Sequence, residues 1–189
     1  ELPEVETVRR GIEALAVGRH ISCVEVGRER SVRRVGRDAV IHGLTDTTIV
    51  DARRRGKYLL FSLDTGDAMM IHLRMSGRVL IDEPNVARPL HTHVVLHLDQ
   101  TPSHPQHELR FVDPRTFGEV VVYDPHDESG VLPELTRMGV DPICDKFDAG
   151  VLENALRGRR GALKPLLLNQ SVVAGIGNIY ADEILHRAK

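Results

Sequence analysis

The chain has 189 residues, with 25 Lys and Arg against 27 Asp and Glu, for a formal net charge of −2. Hydrophobic residues at 41% and charged residues at 28% exclude a disordered or fibrous chain, and the length suffices for one large domain or two small ones. A charge this close to neutral does not by itself announce a nucleic-acid partner. No apolar run reaches the roughly 18 residues of a membrane span, and no leader with a basic start and apolar middle is visible. Only two cysteines, Cys23 and Cys144, are present, too few for a disulfide scaffold or a four-cysteine zinc site. A reducing, cytoplasmic setting is therefore expected.

In chain order, Pro3 suits a first helical turn, and Val5, Val8, Ile12 and Leu15 recur at spacings of three and four, so a helix is expected up to Gly18 and Arg19. Glu1 stands immediately before its N-terminus. Eight short runs rich in Val, Ile or Leu then read as strands: Ser22–Val26, Thr47–Ala52, Tyr58–Leu63, Met69–Leu73, Val79–Ile81, His93–Leu98, Leu109–Val112 and Glu119–Tyr123. A helical patch at Val35–Leu44 interrupts them. Strands this close together predict an antiparallel sandwich or barrel. Pro125–Gly130 reads as a polar linker. Beyond it Leu132–Met138, Ala149–Arg157 and Leu163–Leu168 have helical spacing, and Ala181–Ala188 begins a helix that the end of the chain cuts off. The expected class is α+β, with a β-sandwich domain at 1–124 and an all-helical segment at 125–189.

Several motifs carry chemistry. Arg53-Arg54-Arg55-Gly56-Lys57 is the densest basic cluster and runs into a strand; it can hold phosphates, or be a solvated turn. Lys57 is one of only four lysines, and neighbouring arginines would depress its pKa. His91, His93 and His97 would share one face of a strand, which makes them the metal candidates, against the plainer reading of solvated or singly bonded side chains. Gly175-Ile176-Gly177-Asn178 fails as a nucleotide fingerprint but offers a tight turn with Asn178 as helix cap, whose N–H groups can bind anions. The Asp113–Gly118 loop puts Arg115 and Phe117 two residues apart, a pairing suited to invading a base stack. Met75 lies near a similar turn.

Taken together these segments resemble one family. Glu1-Leu2-Pro3-Glu4-Val5-Glu6-Thr7-Val8-Arg9-Arg10, Arg55-Gly56-Lys57-Tyr58-Leu59, Ile71-His72-Leu73-Arg74-Met75-Ser76-Gly77, Asp113-Pro114-Arg115-Thr116-Phe117-Gly118 and the blocks Leu163–Gln170 and Val173–Glu183 occur in the order seen in formamidopyrimidine-DNA glycosylases (Fpg/MutM). The resemblance implies an N-terminal β-sandwich followed by part of a helix–two-turn–helix domain. It also implies a double-stranded DNA partner containing oxidised purines or abasic sites, held by a monomer. The activity it implies is removal of 8-oxoguanine and formamidopyrimidines, then β,δ-elimination through a Schiff base on an N-terminal proline.

Residue by residue, Glu1 matches the acid/base carboxylate and Lys57 a lysine that contacts phosphates and assists catalysis. His91, Lys164 and Asn178 match DNA contacts, and phosphate binding is preferred to metal for His91. Met75, Arg115 and Phe117 match the side chains that fill the void left by a flipped base. Arg74 stands where glycine is more usual, and Thr116 replaces a common second arginine. The proline expected before Glu1 and the family's four-cysteine zinc finger lie outside this sequence, so no metal or cofactor is assigned to these residues, although the full-length family member is expected to carry zinc. The alternative reading is a truncated module that binds damaged or abasic DNA without excising it; a metal-binding β-sandwich is the third.

Overall fold

The computed structural model describes the whole chain, Glu1–Lys189. Helix α1 (Leu2–Ala16) starts on Glu1, carries proline in its first turn, and buries Leu2, Val5, Ile12 and Ala16 along one face. Extended Val17 and Gly18, at φ +81°, turn the chain into the first strand.

Eight strands follow: β1 (His20–Val26), β2 (Thr47–Arg55), β3 (Tyr58–Leu63), β4 (Ala68–His72), β5 (Arg78–Asp82), β6 (Thr92–Leu98), β7 (His107–Val112) and β8 (Glu119–Tyr123), with helix α2 (Arg37–Leu44) between β1 and β2. Their order is β5-β7-β6-β1-β2-β3-β4-β8, every neighbouring pair antiparallel. The β1–β2 junction is short, only His20↔Thr48 and Ile21↔Thr47. It divides the strands into two four-stranded halves that fold onto each other. Val24, Val94, Leu96, Leu109 and Phe111 from one half share a core with Ile49, Leu59, Phe61, Met69, Ile71 and Val120 from the other. The expected sandwich is thus present.

Strands β4 and β8 are buried at every position, because both of their faces are covered. Met69, Ile71, Val120 and Val122 point into the sandwich, whereas Met70, Val121 and Tyr123 meet Leu132 and Leu135 on the outside. This second cover corrects the linker expected at 125–130. Pro125–Asp127 is a 3₁₀ turn that runs directly into helices α3 (Glu128–Val131) and α4 (Pro133–Thr136). A sheet that is apolar on its outer face needs that layer, and the polar composition of the turn hid it. A 3₁₀ turn at Glu29–Val32 also escaped the sequence reading.

The last segment contains α5 (Ala149–Leu156), α6 (Leu163–Leu168) and α7 (Asn178–Arg187) around Leu167, Val172, Val173, Ile176 and Ala181. A parallel bridge between Val140, ahead of α5, and Val173, between α6 and α7, ties the segment together. No helix is long and apolar enough to cross a membrane.

Candidate functional site

The turn before α7 gathers residues from both ends of the chain. Gly177 is the helix cap and Asn178 the first helical residue, so the expectation that the Asn178 side chain caps the helix is not met. The backbone N–H groups of Ile179 and Tyr180 instead donate to the two carboxylate oxygens of Glu1, at 2.8 and 3.0 Å. First-turn N–H groups lack intrahelical partners and carry the positive end of the helix dipole, so a carboxylate is a favourable occupant. The anion expected at this turn is therefore the chain's own Glu1. A Cβ on Gly177 would lie 2.5 Å from the Glu1 carboxylate carbon, which is why the approach requires glycine. Gly175, at φ +90°, packs against Leu2 and donates its N–H to Gln170 Oε1 at 2.8 Å.

Lys57 reaches the same turn from the start of β3, its Nζ donating to the Ile176 carbonyl at 2.9 Å. Gln170 Nε2 donates to that carbonyl as well, at 3.0 Å. Burial pulls the Lys57 ammonium below the ordinary lysine value, while the Glu1 carboxylate opposes the shift. The direction matches the sequence expectation, but its cause is desolvation and not the neighbouring arginines.

Those arginines separate by strand alternation. Arg53 faces outward and pairs with Asp51, and Arg55 is exposed. Arg54 turns inward and is fully buried, donating to Asp141 Oδ2 at 2.6 Å and Oδ1 at 3.1 Å and to Glu6 Oε2 at 3.2 Å. Asp141 Oδ2 also accepts from the Gly56 N–H at 2.8 Å. One buried ion pair thus joins α1, the β2–β3 turn that presents Lys57, and the helical segment. Sequence reasoning missed Arg54, Asp141 and Gln170 as site-forming residues. Arg54 was counted in a basic cluster, and nothing in the spacing linked it to Asp141, 87 residues away.

The antiparallel register pairs Tyr58 with His72 and His72 with Glu119. Lys57, the turn 73–77 and the loop 113–118 consequently leave the sheet at the same end. Met75 and Phe117 are both exposed there, at 76% and 42%, and the Arg115 guanidinium carbon lies 4.9 Å from the Phe117 ring centroid. Exposed apolar side chains at loop tips are candidates for contact with another molecule. His91 sits on the adjacent loop, its carbonyl accepting from the Asp113 N–H at 3.0 Å. Arg74, His91 and Thr116 all have φ between +54° and +67°, a strained left-handed backbone for non-glycine residues that clusters at functional loops. Arg74 adopts it with its own N–H bonded to His72 Nδ1 at 3.0 Å. Arg30 donates to the Thr116 carbonyl at 3.1 Å.

Lys164 lies on α6 and pairs with Asp182 on α7 at 2.7 Å; it makes no contact with the Glu1–Lys57 group. The histidine triplet does not assemble. A register shift between Thr92 and Val94 breaks the alternation, so His93 is buried against the Asp113 carbonyl at 2.9 Å, while His97 bonds Glu25 at 2.6 Å. No group of three or more His, Cys, Asp or Glu side chains is arranged to hold a metal.

Similarity to known proteins extends over most of the chain. Residues 1–120 match the formamidopyrimidine-DNA glycosylase N-terminal domain, and residues 138–189 match the H2TH domain of the same proteins. The chain is 43% identical to the formamidopyrimidine-DNA glycosylase of Symbiobacterium thermophilum, over all of its own length and 60% of that protein. It is 40% identical to that of Herpetosiphon aurantiacus, over all of its length and 67% of that protein. The chain therefore spans about three fifths to two thirds of these relatives. Among solved structures it resembles Lactococcus lactis Fpg bound to DNA containing an abasic site, with a TM-score of 0.85 at 35% identity, covering 98% of this chain and 65% of that one. The same protein bound to FAPY-dG DNA matches equally well, with 67% of its chain covered. The chain belongs to the formamidopyrimidine-DNA glycosylase family.

Proposed function

We propose that the protein excises oxidised purines, 8-oxoguanine and formamidopyrimidines, from double-stranded DNA and then cleaves the strand by β,δ-elimination. The observation that carries this reading is the convergence of Glu1 and Lys57 on the turn before α7, at the sheet end from which Met75, Arg115 and Phe117 project. In the longer protein, a proline ahead of Glu1 supplies a secondary amine that attacks the sugar C1′. The bond from C1′ to the amine nitrogen forms as the glycosidic bond breaks, and the base leaves with the electron pair. Opening of the sugar ring then gives the Schiff base.

Each Glu1 oxygen accepts one N–H and keeps a second lone pair, so the carboxylate can take up the proton that the attacking amine loses and deliver it to the sugar ring oxygen while α7 holds it. Lys57, partly desolvated, and His91, Asn178 and Lys164 hold phosphates on either side of the lesion. Met75, Arg115 and Phe117 occupy the space vacated by the flipped base. The protein acts as a monomer in the cytoplasm. A zinc finger of the kind the family resemblance implies would draw its ligands from residues outside these 189.

The test is borohydride trapping of the full-length, proline-initiated protein on 8-oxoguanine duplex DNA. A covalent adduct is expected, and Glu1→Gln should abolish base release while DNA binding persists. Binding of abasic DNA with no adduct from the native protein would overturn the enzymatic reading in favour of a recognition module.

A further inference from the structure

Met75 is flanked by two residues that each reach across to the neighbouring loop. On one side, Arg74 Nη2 donates to Glu119 Oε1 at 3.1 Å. On the other, the Ser76 hydroxyl donates to Asp113 Oδ1 at 2.5 Å. Asp113 and Glu119 are themselves the two ends of the loop that carries Arg115 and Phe117. Both carboxylates are fully buried, with 0% residue exposure. A pair of cross-links therefore brackets Met75 and closes the Arg115–Phe117 loop at the same time.

Each anchor is well held on its own side. Asp113 also accepts the Arg115 N–H at 3.2 Å through Oδ1 and the Gly118 N–H at 2.7 Å through Oδ2. Glu119 takes Arg34 at 2.8 Å and Arg33 at 3.2 Å. A Cβ on Gly118 would meet the Phe111 ring at 2.6 Å and the His72 carbonyl at 2.8 Å, so the loop lies directly on the root of the Met75 turn. Charge-assisted bonds to buried carboxylates are stronger than exposed surface pairs, and neither loop can shift without breaking one of them.

We propose that Ser76–Asp113 and Arg74–Glu119 lock the Met75 turn and the Arg115–Phe117 loop into one rigid wedge, making Ser76, Asp113, Arg74 and Glu119 positioning residues for lesion capture. This rests on the reading that Met75 and Phe117 enter the base stack. Neither loop then has to be ordered separately when DNA binds, and the free energy of inserting one side chain depends on the other being in place.

The test is a coupling measurement on the full-length protein. Duplex DNA with 2-aminopurine beside an abasic site reports the rate of stack invasion for Met75→Ala, Phe117→Ala and their combination. These are measured in the native background and in one carrying Ser76→Ala and Arg74→Ala. The native background should show a roughly fivefold departure from multiplicative rates, within the range of residues that act as a unit, and the departure should vanish when the cross-links are removed. Ser76→Thr, which keeps the hydroxyl, should retain it. In the Ser76→Ala, Arg74→Ala background Asp113 keeps both N–H bonds and Glu119 keeps Arg33 and Arg34, so a single cooperative melt and a native far-UV circular dichroism spectrum separate loss of coupling from loss of fold. Multiplicative rates in the native background, or coupling that persists without the cross-links, would overturn the wedge. If neither Met75→Ala nor Phe117→Ala alters the signal, the void-filling assignment fails as well, a result distinct from active but uncoupled side chains.

Discussion

The sandwich encloses 23 buried apolar residues in one cluster, whereas the helical segment beyond residue 138 gathers five. Five fully buried residues make a small core for a segment of about 50 residues, a size at which a lone core is marginal. The helical segment must therefore lean on the sandwich, and its supports are the groups that build the site. Leu2 fills the turn at Gly175, Glu1 caps α7, Lys57 holds the Ile176 carbonyl, and Arg54 binds Asp141. In the sandwich, the apolar core lies apart from the loops that carry Met75, Arg115 and Phe117, so most of its stability is independent of the site. In the helical half they are carried by the same contacts.

Three perturbations would break or sharpen that contrast. The largest effect is expected from Asp141→Ala, which takes from the buried Arg54 guanidinium its bidentate counter-ion and leaves Glu6, the Gly56 carbonyl and Cys144 Sγ as partners. Breaking a buried pair from one side costs about 3–5 kcal/mol. Limited proteolysis should then cut between 138 and 189 first, while the sandwich strands stay protected; uniform loss of protection would show that the halves unfold as one.

Acid should do the same more gradually. Burial pushes the Asp141 carboxyl up, but Arg54 and the Gly56 N–H outweigh it and hold its pKa below the ordinary aspartate value. Glu6, bonded first by Arg9 and then by Arg10 and Arg54, lies at about 2. A carboxyl whose pKa falls on folding stabilises the native state above its unfolded value, near 4, and loses that contribution as pH drops through the folded value. Protection of α6 and α7 against hydrogen exchange, relative to the intrinsic rate at each pH, should therefore be lost before that of β3 and β6 as pH falls from about 4 towards 2. Simultaneous exchange would refute the asymmetry. The smallest effect belongs to Arg157→Ala, which removes an exposed i,i+4 pair with Glu153 and should change stability by about 0.3–0.5 kcal/mol in thermal melts.

Much of this was legible from residues alone. Tyr58–Leu63, Glu119–Tyr123 and Leu163–Leu168 were bounded correctly, because turn residues or a change of pattern mark their ends. Strands β1, β2, β5, β6 and β7 ran one to three residues further than expected, since polar positions such as His20, Arg53 and His107 add backbone pairing without adding an apolar signal. Strand β4 is displaced by one residue and ends at His72 instead of Leu73. The ordered motif blocks identified the family. They did not reveal that Asn178 leaves its helix cap to Gly177, or that His93 turns inward at a bulge.

Local pattern thus determined the elements, their approximate limits and the side chains available for chemistry, because hydrophobic periodicity and turn composition act over a few residues. Tertiary structure alone decided which of three consecutive arginines is buried, that its partner lies 87 residues away, and that Glu1 meets an N–H 178 residues further along the chain. Such pairings depend on how two separately patterned halves dock. A charged residue reads the same in sequence whether water or a buried counter-ion surrounds it.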